Sequence, residues 1–150
     1  MMPISDFAVG LPVSENHIGT SLQLIRRTLI ADKSLQNLIE GRVYTSHFID
    51  YDNKTTPMPL VILDNRGGSA NYSMKLQRLI LHIYAYSERS SAQAADVYNK
   101  VYTALNGQEL ARSTLSVGGY MYEQERPLNG FNEQIRGWFY RGTFILNSAG

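Results

Sequence analysis

Cysteine is absent from the 150-residue chain, and this absence excludes a disulfide framework, a thiolate zinc site and a thiol nucleophile. A surplus of positive charge is also missing, because 14 Lys and Arg residues stand against 13 Asp and Glu residues and leave a formal net charge of +1. Proteins that bind duplex DNA hold the phosphates with surplus Lys and Arg, so the charge balance argues against that class.

Long apolar runs are missing as well. None approaches the roughly 20 residues that a membrane-spanning helix needs. The opening MMPISDFAVG lacks the basic region and apolar core of a secretory signal. We therefore expect no membrane span and a soluble, single-domain protein that acts inside the cell or as part of a particle.

Motifs that bind phosphate, metal or a catalytic nucleophile are not found in the sequence. There is no G-x-x-x-x-G-K-[ST] loop and no G-x-S-x-G elbow. The segment from Asp50 to Asn53 resembles the start of a calcium loop, but Thr55 and Val61 stand where such a loop needs glycine and glutamate. We expect no metal and no cofactor.

The histidines and paired acids give only a remote catalytic alternative. His17, His47 and His82 lack metal-ligand spacing. Glu123 and Glu125 are two residues apart, so on a regular strand they would share one face. A hydrolase built on His82 and these two glutamates stays open, while the expectation is that the chain is not an enzyme.

The first 18 residues read as an amino-terminal arm, and residues 19–150 as one domain. In the arm, Phe7, Val9, Leu11 and Val13 alternate with other residues. This alternation is compatible with a short edge strand that pairs with another chain, and also with a terminus that lies over the surface.

Apolar residues at helical spacing predict two helical regions. The first covers about residues 20–40, and Asp32 caps a second turn or short helix within it. The second helix starts at a cap on Ser90 or Ser91 and ends at about Leu105.

Strand patterns predict five strands, at residues 42–48, 60–63, 75–87, 117–126 and 136–147. The run 60–63 is apolar throughout and is typical of a strand buried on both faces. The predicted fold is α+β, in the order α-β-β-β-α-β-β, with a mainly antiparallel sheet packed against two helices.

Two polar segments between strands are the predicted partner contacts: a loop from Ile49 to Met58 and a flap from Asn65 to Met74. Polar loops between firm strands commonly order on binding, although they also serve as plain solvated connections. The candidate residues are Asp50, Asp52, Asn53, Lys54, Arg66, Gly67, Gly68, Ser69, Asn71 and Tyr72.

Ten tyrosines stand against one tryptophan, and five of the tyrosines fall on predicted strands: Tyr84, Tyr86, Tyr120, Tyr122 and Tyr140. Tyrosine combines a large contact area with a polar tip, so it suits surfaces that become buried on assembly. These rings also fit the inside of the sheet. A third interpretation, a single-stranded nucleic-acid-binding module that uses the rings with Arg78, Arg136 and Arg141, lacks the usual signature and basic surplus.

The stretch LIRRTLIADKSLQNLIEGRVY resembles the opening of the tail-completion proteins of long-tailed bacteriophages, also called tail terminators or tail-to-head joining proteins. In that family a helix of the type L-x-A-D-x-x-L-x-x-L-I-x-G-R-V-Y leads into the first strand. The matching residues are Leu29, Ala31, Asp32, Leu35, Leu38, Ile39, Gly41, Arg42, Val43 and Tyr44. The later order of strands and helix is similar over about residues 20–147, and the matching residues explain fold rather than catalysis.

The resemblance implies a structural virion protein that is made in the host cytoplasm. It implies a homo-hexameric ring at the head-proximal end of the tail tube, which caps the tube and joins it to the neck or head connector. DNA would pass through the lumen without being read, which agrees with the near-zero net charge. A neck adaptor or head-completion (stopper) protein is the nearest alternative, and a tail tube protein, usually more purely β, is a weaker one.

Overall fold

The computed structural model describes residues 13–45, 57–71, 76–110 and 119–149. In these ranges the chain forms three helices and six strands. In chain order they are α1 (Val13–Ile30), α2 (Lys33–Ile39), β1 (Val43–Tyr44), β2 (Leu60–Asn71), β3 (Leu76–Ser87), α3 (Ser91–Leu105), β4 (Gln108–Leu110), β5 (Gly119–Asn132) and β6 (Gly137–Ala149).

The strands form one sheet in the order β1-β2-β3-β6-β5-β4. The pair β1–β2 is parallel, and the other four described pairs are antiparallel. The predicted α+β class with a mainly antiparallel sheet is therefore confirmed. The short strand β4 was not predicted, because three residues directly after a helix carry too little alternation to be recognised.

The helices begin and end at residues that satisfy free backbone groups. The Asp32 carboxylate accepts the Leu35 N–H at 3.0 Å, and the Ser90 hydroxyl accepts the Gln93 N–H at 3.0 Å, as N-caps do. After α2 the chain turns through Glu40 and Gly41, which have φ angles of 49° and 81°. The predicted caps at Asp32 and Ser90 are confirmed.

Helix α1 starts at Val13, well before the predicted start at Thr20. Residues 13–18 of the predicted arm are therefore helical, and residues 1–12 lie outside the described ranges. The prediction missed the first turns because apolar residues at helical spacing begin only at Leu22, and the segment before it is mainly polar.

The predicted flap is wrong over residues 65–71, because β2 continues through this segment to Asn71. A β-bulge between Asn65 and Gly68 lets the strand absorb its two glycines and stay paired with β3. The Asn65 side chain accepts the Gly67 N–H at 2.8 Å, and a Cβ on Gly68 would lie 2.9 Å from the carbonyl carbon of Arg78. Glycine is thus required for the close approach of β2 to β3.

The strand predicted at residues 117–126 continues well beyond its predicted end. Strand β5 runs on to Asn132, and residues 133–136 make the turn into β6. Pro127 lies on a strand at the side of the sheet, next to two bulges, where the missing N–H costs no ladder hydrogen bond.

The main core lies between the sheet and the three helices. Every layer contributes fully buried side chains to it: Ile25 and Leu29 from α1, Leu35 from α2, Val97 from α3, and Ile83 and Phe144 from the sheet. The apolar run at the start of β2, from Leu60 to Leu63, has 0% exposure at all four residues, which confirms a strand segment buried on both faces.

Candidate assembly surfaces

The predicted partner-contact residues do not form one site in the part of the chain that the structure describes. Asp50, Asp52, Asn53, Lys54 and Tyr72 lie outside the described ranges. Arg66, Gly67 and Gly68 form the exposed bulge of β2, and Ser69 and Asn71 continue the strand beyond it. Arg66 makes an ion pair with Asp64 at 3.6 Å at this bulge.

On the sheet face that none of the described helices covers, Tyr84, Tyr86 and Phe139 form an aromatic cluster, which we call the open-face cluster. The two tyrosine rings are stacked with centroids 5.6 Å apart. The Phe139 ring lies 5.9 Å from Tyr84 and 5.7 Å from Tyr86. These rings pack together with Ile62 and neighbouring side chains. Tyr86 is buried, whereas Tyr84 and Phe139 stay partly exposed.

A polar row made of His82 and the charged residues around it, Asp64, Arg66, Glu125 and Arg141, lies beside the open-face cluster. The His82 ring meets the Tyr84 ring edge-on, with ring centroids 6.4 Å apart. Partial burial lowers the pKa of His82 below its ordinary value, and the positive charges of Arg141 and Arg66 lower it further. The acidic groups of Asp64 and Glu125 act in the opposite direction. The row therefore mixes both charge signs rather than forming a cationic strip.

Three further observations concern Arg141, metal binding and membrane-spanning helices. The Nε of Arg141 is buried and has no hydrogen-bond partner among the described residues. Within those residues, no group of three or more acids and histidines is placed to hold a metal ion. In the same ranges, no helix is long and apolar enough to span a membrane.

Glu123 and Glu125 do not share a face, contrary to the prediction. A bulge lies between them, so Glu123 turns toward the helices while the charge of Glu125 acts on His82. The predicted grouping of His82 with both glutamates is therefore not formed. A regular two-residue alternation cannot anticipate this, because one extra residue reverses every later side chain.

On the helix side, Glu123 accepts a hydrogen bond from the Tyr98 hydroxyl. Burial and this contact with the carboxylate raise the pKa of Tyr98 above its ordinary value. Gly142 makes the arrangement possible, since a Cβ there would lie 2.7 Å from the Tyr98 ring carbon that bears the hydroxyl. The contact between Tyr98, Glu123 and Gly142 was not predicted from the sequence, whose one indication of it is a glycine inside a strand of mostly large residues.

A groove lies beside this pair, between α3 and the strands β5 and β6. Tyr98, Tyr102, Pro127 and Tyr140 are among its lining residues, and its cavity volume is about 230 Å³. The Asn106 side chain links two of the lining residues, because it accepts the Glu123 N–H at 2.8 Å and donates to the Tyr102 hydroxyl at 3.1 Å.

Large apolar side chains are exposed mainly on β5. Leu128 is 58% exposed and Phe131 46% exposed near the β5–β6 turn, and Tyr120 is 48% exposed at the other end of the strand. The Phe131 ring packs edge-on against the Trp138 ring, with ring centroids 4.9 Å apart, and this contact holds the Phe131 ring in place at the surface. Exposed apolar groups on a firm hairpin are typical of a protein–protein contact.

Comparison with known proteins gives a likeness in structure rather than in sequence. No family model and no curated protein matches the sequence. A chain of the solved virion of a native gene transfer agent (GTA) particle is similar in structure, with a TM-score of 0.63 and 18% sequence identity. The match covers 84% of this chain and 92% of that chain. At this identity the likeness shows a shared fold.

Proposed function

We propose that the chain is a structural virion protein: a ring-forming tail terminator, or tail-completion protein, of a phage-like particle. In this role copies of the chain form a homo-hexamer at the head-proximal end of the tail tube. The ring stops tube growth and joins the tube to the neck or head connector. DNA passes through the lumen without sequence-specific contacts.

The observation that carries the proposal is the structural likeness to a chain of a gene transfer agent virion, which extends over most of both chains. Such coverage means that the two proteins share most of their fold rather than one common motif. The tail-terminator phrase in the sequence supports the finer assignment independently, because it includes the Asp32 cap, the turn at Gly41 and the entry into β1.

The surface of the molecule supports assembly over catalysis. Leu128 and Phe131 are exposed beside the β5–β6 turn, where a neighbouring subunit can bury them. The polar row contains Arg66 and Arg141 together with Asp64 and Glu125, and this mixture of charge signs around His82 suits a surface that does not bind DNA phosphates tightly.

The contact residues predicted from the sequence remain part of the proposal. Asp50, Asp52, Asn53, Lys54, Arg66, Gly67, Gly68, Ser69, Asn71 and Tyr72 would contact the partners of the ring. A tail tube protein and a neck or connector protein are the two partners that the role requires.

The test is the mass and shape of the purified chain in solution, with and without tail tubes. We expect rings in negative-stain micrographs and a particle mass near six chains, with rings seated at one end of each tube. A chain that is strictly monomeric and does not bind tail tubes would contradict the proposal. Rings that bind connectors but not tubes would point instead to a neck adaptor or stopper.

Paired variants show whether the exposed apolar groups carry ring assembly. Leu128→Ser and Phe131→Ser remove exposed side chains, so we expect folded monomers that no longer form rings. Tyr120→Ser is the matched control, since it removes a similarly exposed ring at the far end of β5. Rings that persist in both hairpin variants would place the subunit contact elsewhere.

A further inference from the structure

The groove between α3 and the strands β5 and β6 has a mainly aromatic lining. From α3 it takes Ala95, Tyr98, Asn99 and Tyr102, whose spacing of three and four residues puts them on one side of the helix. Strand β6 adds Tyr140, whose ring centroid lies 6.4 Å from that of Tyr98, with the two ring planes inclined by 34°. Tyr102 is 39% exposed, so the groove opens to the surface beside this ring.

Glu123 is the one charged side chain among the described lining residues. One of its carboxylate oxygens accepts the Tyr98 hydroxyl, and among the described residues no other hydrogen bond or ion pair reaches this carboxylate. A carboxylate beside tyrosine rings attracts a cation twice, through an ion pair and through the faces of the rings. Arginine suits such a place best, because its planar guanidinium can stack on a ring while it binds a carboxylate.

The size of the groove also favours a single side chain. Its volume of about 230 Å³ is below the range of about 300–1,000 Å³ that is typical of small-molecule sites. Glu123 alone offers too few oxygen ligands for a metal ion. The groove therefore fits one long cationic side chain better than it fits a cofactor or a metal.

The strand registers place Arg66 at the same level of the sheet as Glu123. Glu123 pairs with Phe144 of β6, which pairs with Leu81 of β3. Leu81 in turn pairs with Asn65, the residue before Arg66. Three strand spacings, about 14 Å, separate β2 from β5 in the sheet order, which is farther than an arginine side chain reaches. Arg66 therefore cannot fill the groove of its own chain.

Arg66 stands where another molecule can approach it. Its side chain is 54% exposed, and its ion pair with Asp64 at 3.6 Å joins two groups that water reaches, so this pair contributes little and is easily exchanged. Gly67 follows without a side chain, and a Cβ there would meet nothing within 4 Å. Strand β1 pairs only with the first residues of β2, so no described strand lies on the outer side of β2 at Arg66.

We infer that the groove of one subunit binds the Arg66 side chain of the next subunit. In a ring whose axis runs along the strands, equal levels of neighbouring copies face each other, and Arg66 then meets the groove at Glu123. Two different surfaces make this a head-to-tail contact, the kind that closes into rings. Pro127 lines the groove and precedes the exposed Leu128, so the contact is continuous with the apolar one proposed above. The inference rests on the proposed ring and assigns Arg66 to its subunit contact.

Two charge reversals test the contact without any other protein. Arg66→Glu and Glu123→Arg should each remain monomeric when pure, because like charges meet at every contact. An equimolar mixture should form rings in which the two variants alternate, since every contact then joins opposite charges. Native mass spectrometry reads the composition, and circular dichroism checks that each variant is folded. Rings from either pure variant, or a mixture of folded variants that stays monomeric, would overturn the inference.

Neutral substitutions give a second readout that disturbs the groove less. Arg66→Gln and Glu123→Gln should each raise the concentration at which rings dissociate by at least about tenfold, and the double variant should add little to either. Arg78→Gln, which removes an exposed arginine from β3, is the matched control and should change nothing. Rings that both neutral variants leave unchanged would overturn the inference and leave the proposed function intact. An unaltered chain without rings would contradict the proposed function, and this contact with it.

Discussion

The two faces of the sheet are built from alternate residues of the same strands, yet they are closed in different ways. On the helix face, aliphatic side chains such as Leu81 and Ile83 pack with Phe144 under α1, α2 and α3 and are fully buried. On the other face, the rings of Tyr84 and Phe139 cover the sheet themselves and stay partly exposed, beside a polar row. The larger core therefore lies on the helix face, and none of the described helices covers the other face.

The strongest test of this difference compares two phenylalanines on β6. Phe144→Ala leaves a cavity under the helices and should lower the free energy of unfolding by about 3–5 kcal/mol. Phe139→Ala, on the partly exposed open face, should cost about 1–2 kcal/mol because its site collapses toward solvent. Urea denaturation of both variants is the measurement. Equal losses would show that the open face is as much a core as the helix face.

Gly142→Ala should have the next largest effect, because the added Cβ meets the Tyr98 ring on the helix face. Displacing this ring also removes the hydrogen bond that the Tyr98 hydroxyl donates to Glu123. We expect a loss of about 3 kcal/mol in unfolding free energy. In a Tyr98→Leu background the same substitution should cost much less. An unchanged cost there would mean that the clash with Tyr98 is not its cause.

The β2 bulge gives a smaller contrast between two adjacent glycines. Gly68→Ala brings a Cβ against the Arg78 backbone and should cost about 2 kcal/mol. Gly67→Ala meets nothing within 4 Å but has a φ of 100°, so about 1 kcal/mol is expected from backbone strain alone. Thermal unfolding of both variants ranks them. A larger loss at Gly67 would contradict the close approach of β2 to β3.

The smallest expected effect is the pH dependence that His82 brings to the open face. Its pKa is lowered in the folded chain, so the stabilisation from neutral His82 is present above its ordinary pKa of 6.5 and is lost as the pH falls through the folded value. His82→Gln should therefore lose less stability than the unaltered chain between about pH 7 and pH 5. Thermal unfolding curves across this range measure the difference. Parallel curves would show that His82 does not contribute.

The elements that local chemistry specifies were predicted well. Asp32 and Ser90 indicate the starts of two helices because their side chains cap them, and the apolar run from Leu60 to Leu63 indicates a buried strand. Errors fall where a distant contact decides the outcome. Gly67 and Gly68 are typical of a loop, but pairing with β3 keeps them in a strand, and Pro127 is typical of a turn, but the sheet edge accommodates it.

The candidate surfaces were predicted less well than the fold, and for a related reason. The polarity of Asn65–Met74 pointed to a mobile contact segment, whereas the part of it that is described is a bulged strand. The groove between α3 and β5 had no local signature, since it joins Tyr98, Pro127 and Tyr140 from three separate elements. Only the tyrosine-rich strands pointed to an aromatic face in advance.

By itself the sequence determined the α+β class, the helix caps and the alternation that divides each strand into two faces. These properties depend on neighbours a few residues apart, through backbone hydrogen bonds and side-chain period. The tertiary structure alone decided where bulges reverse that alternation, which face stays open and which edge borders a groove. Such features depend on pairs like Gly142 with Tyr98, whose contact exists only after the helix has packed on the sheet.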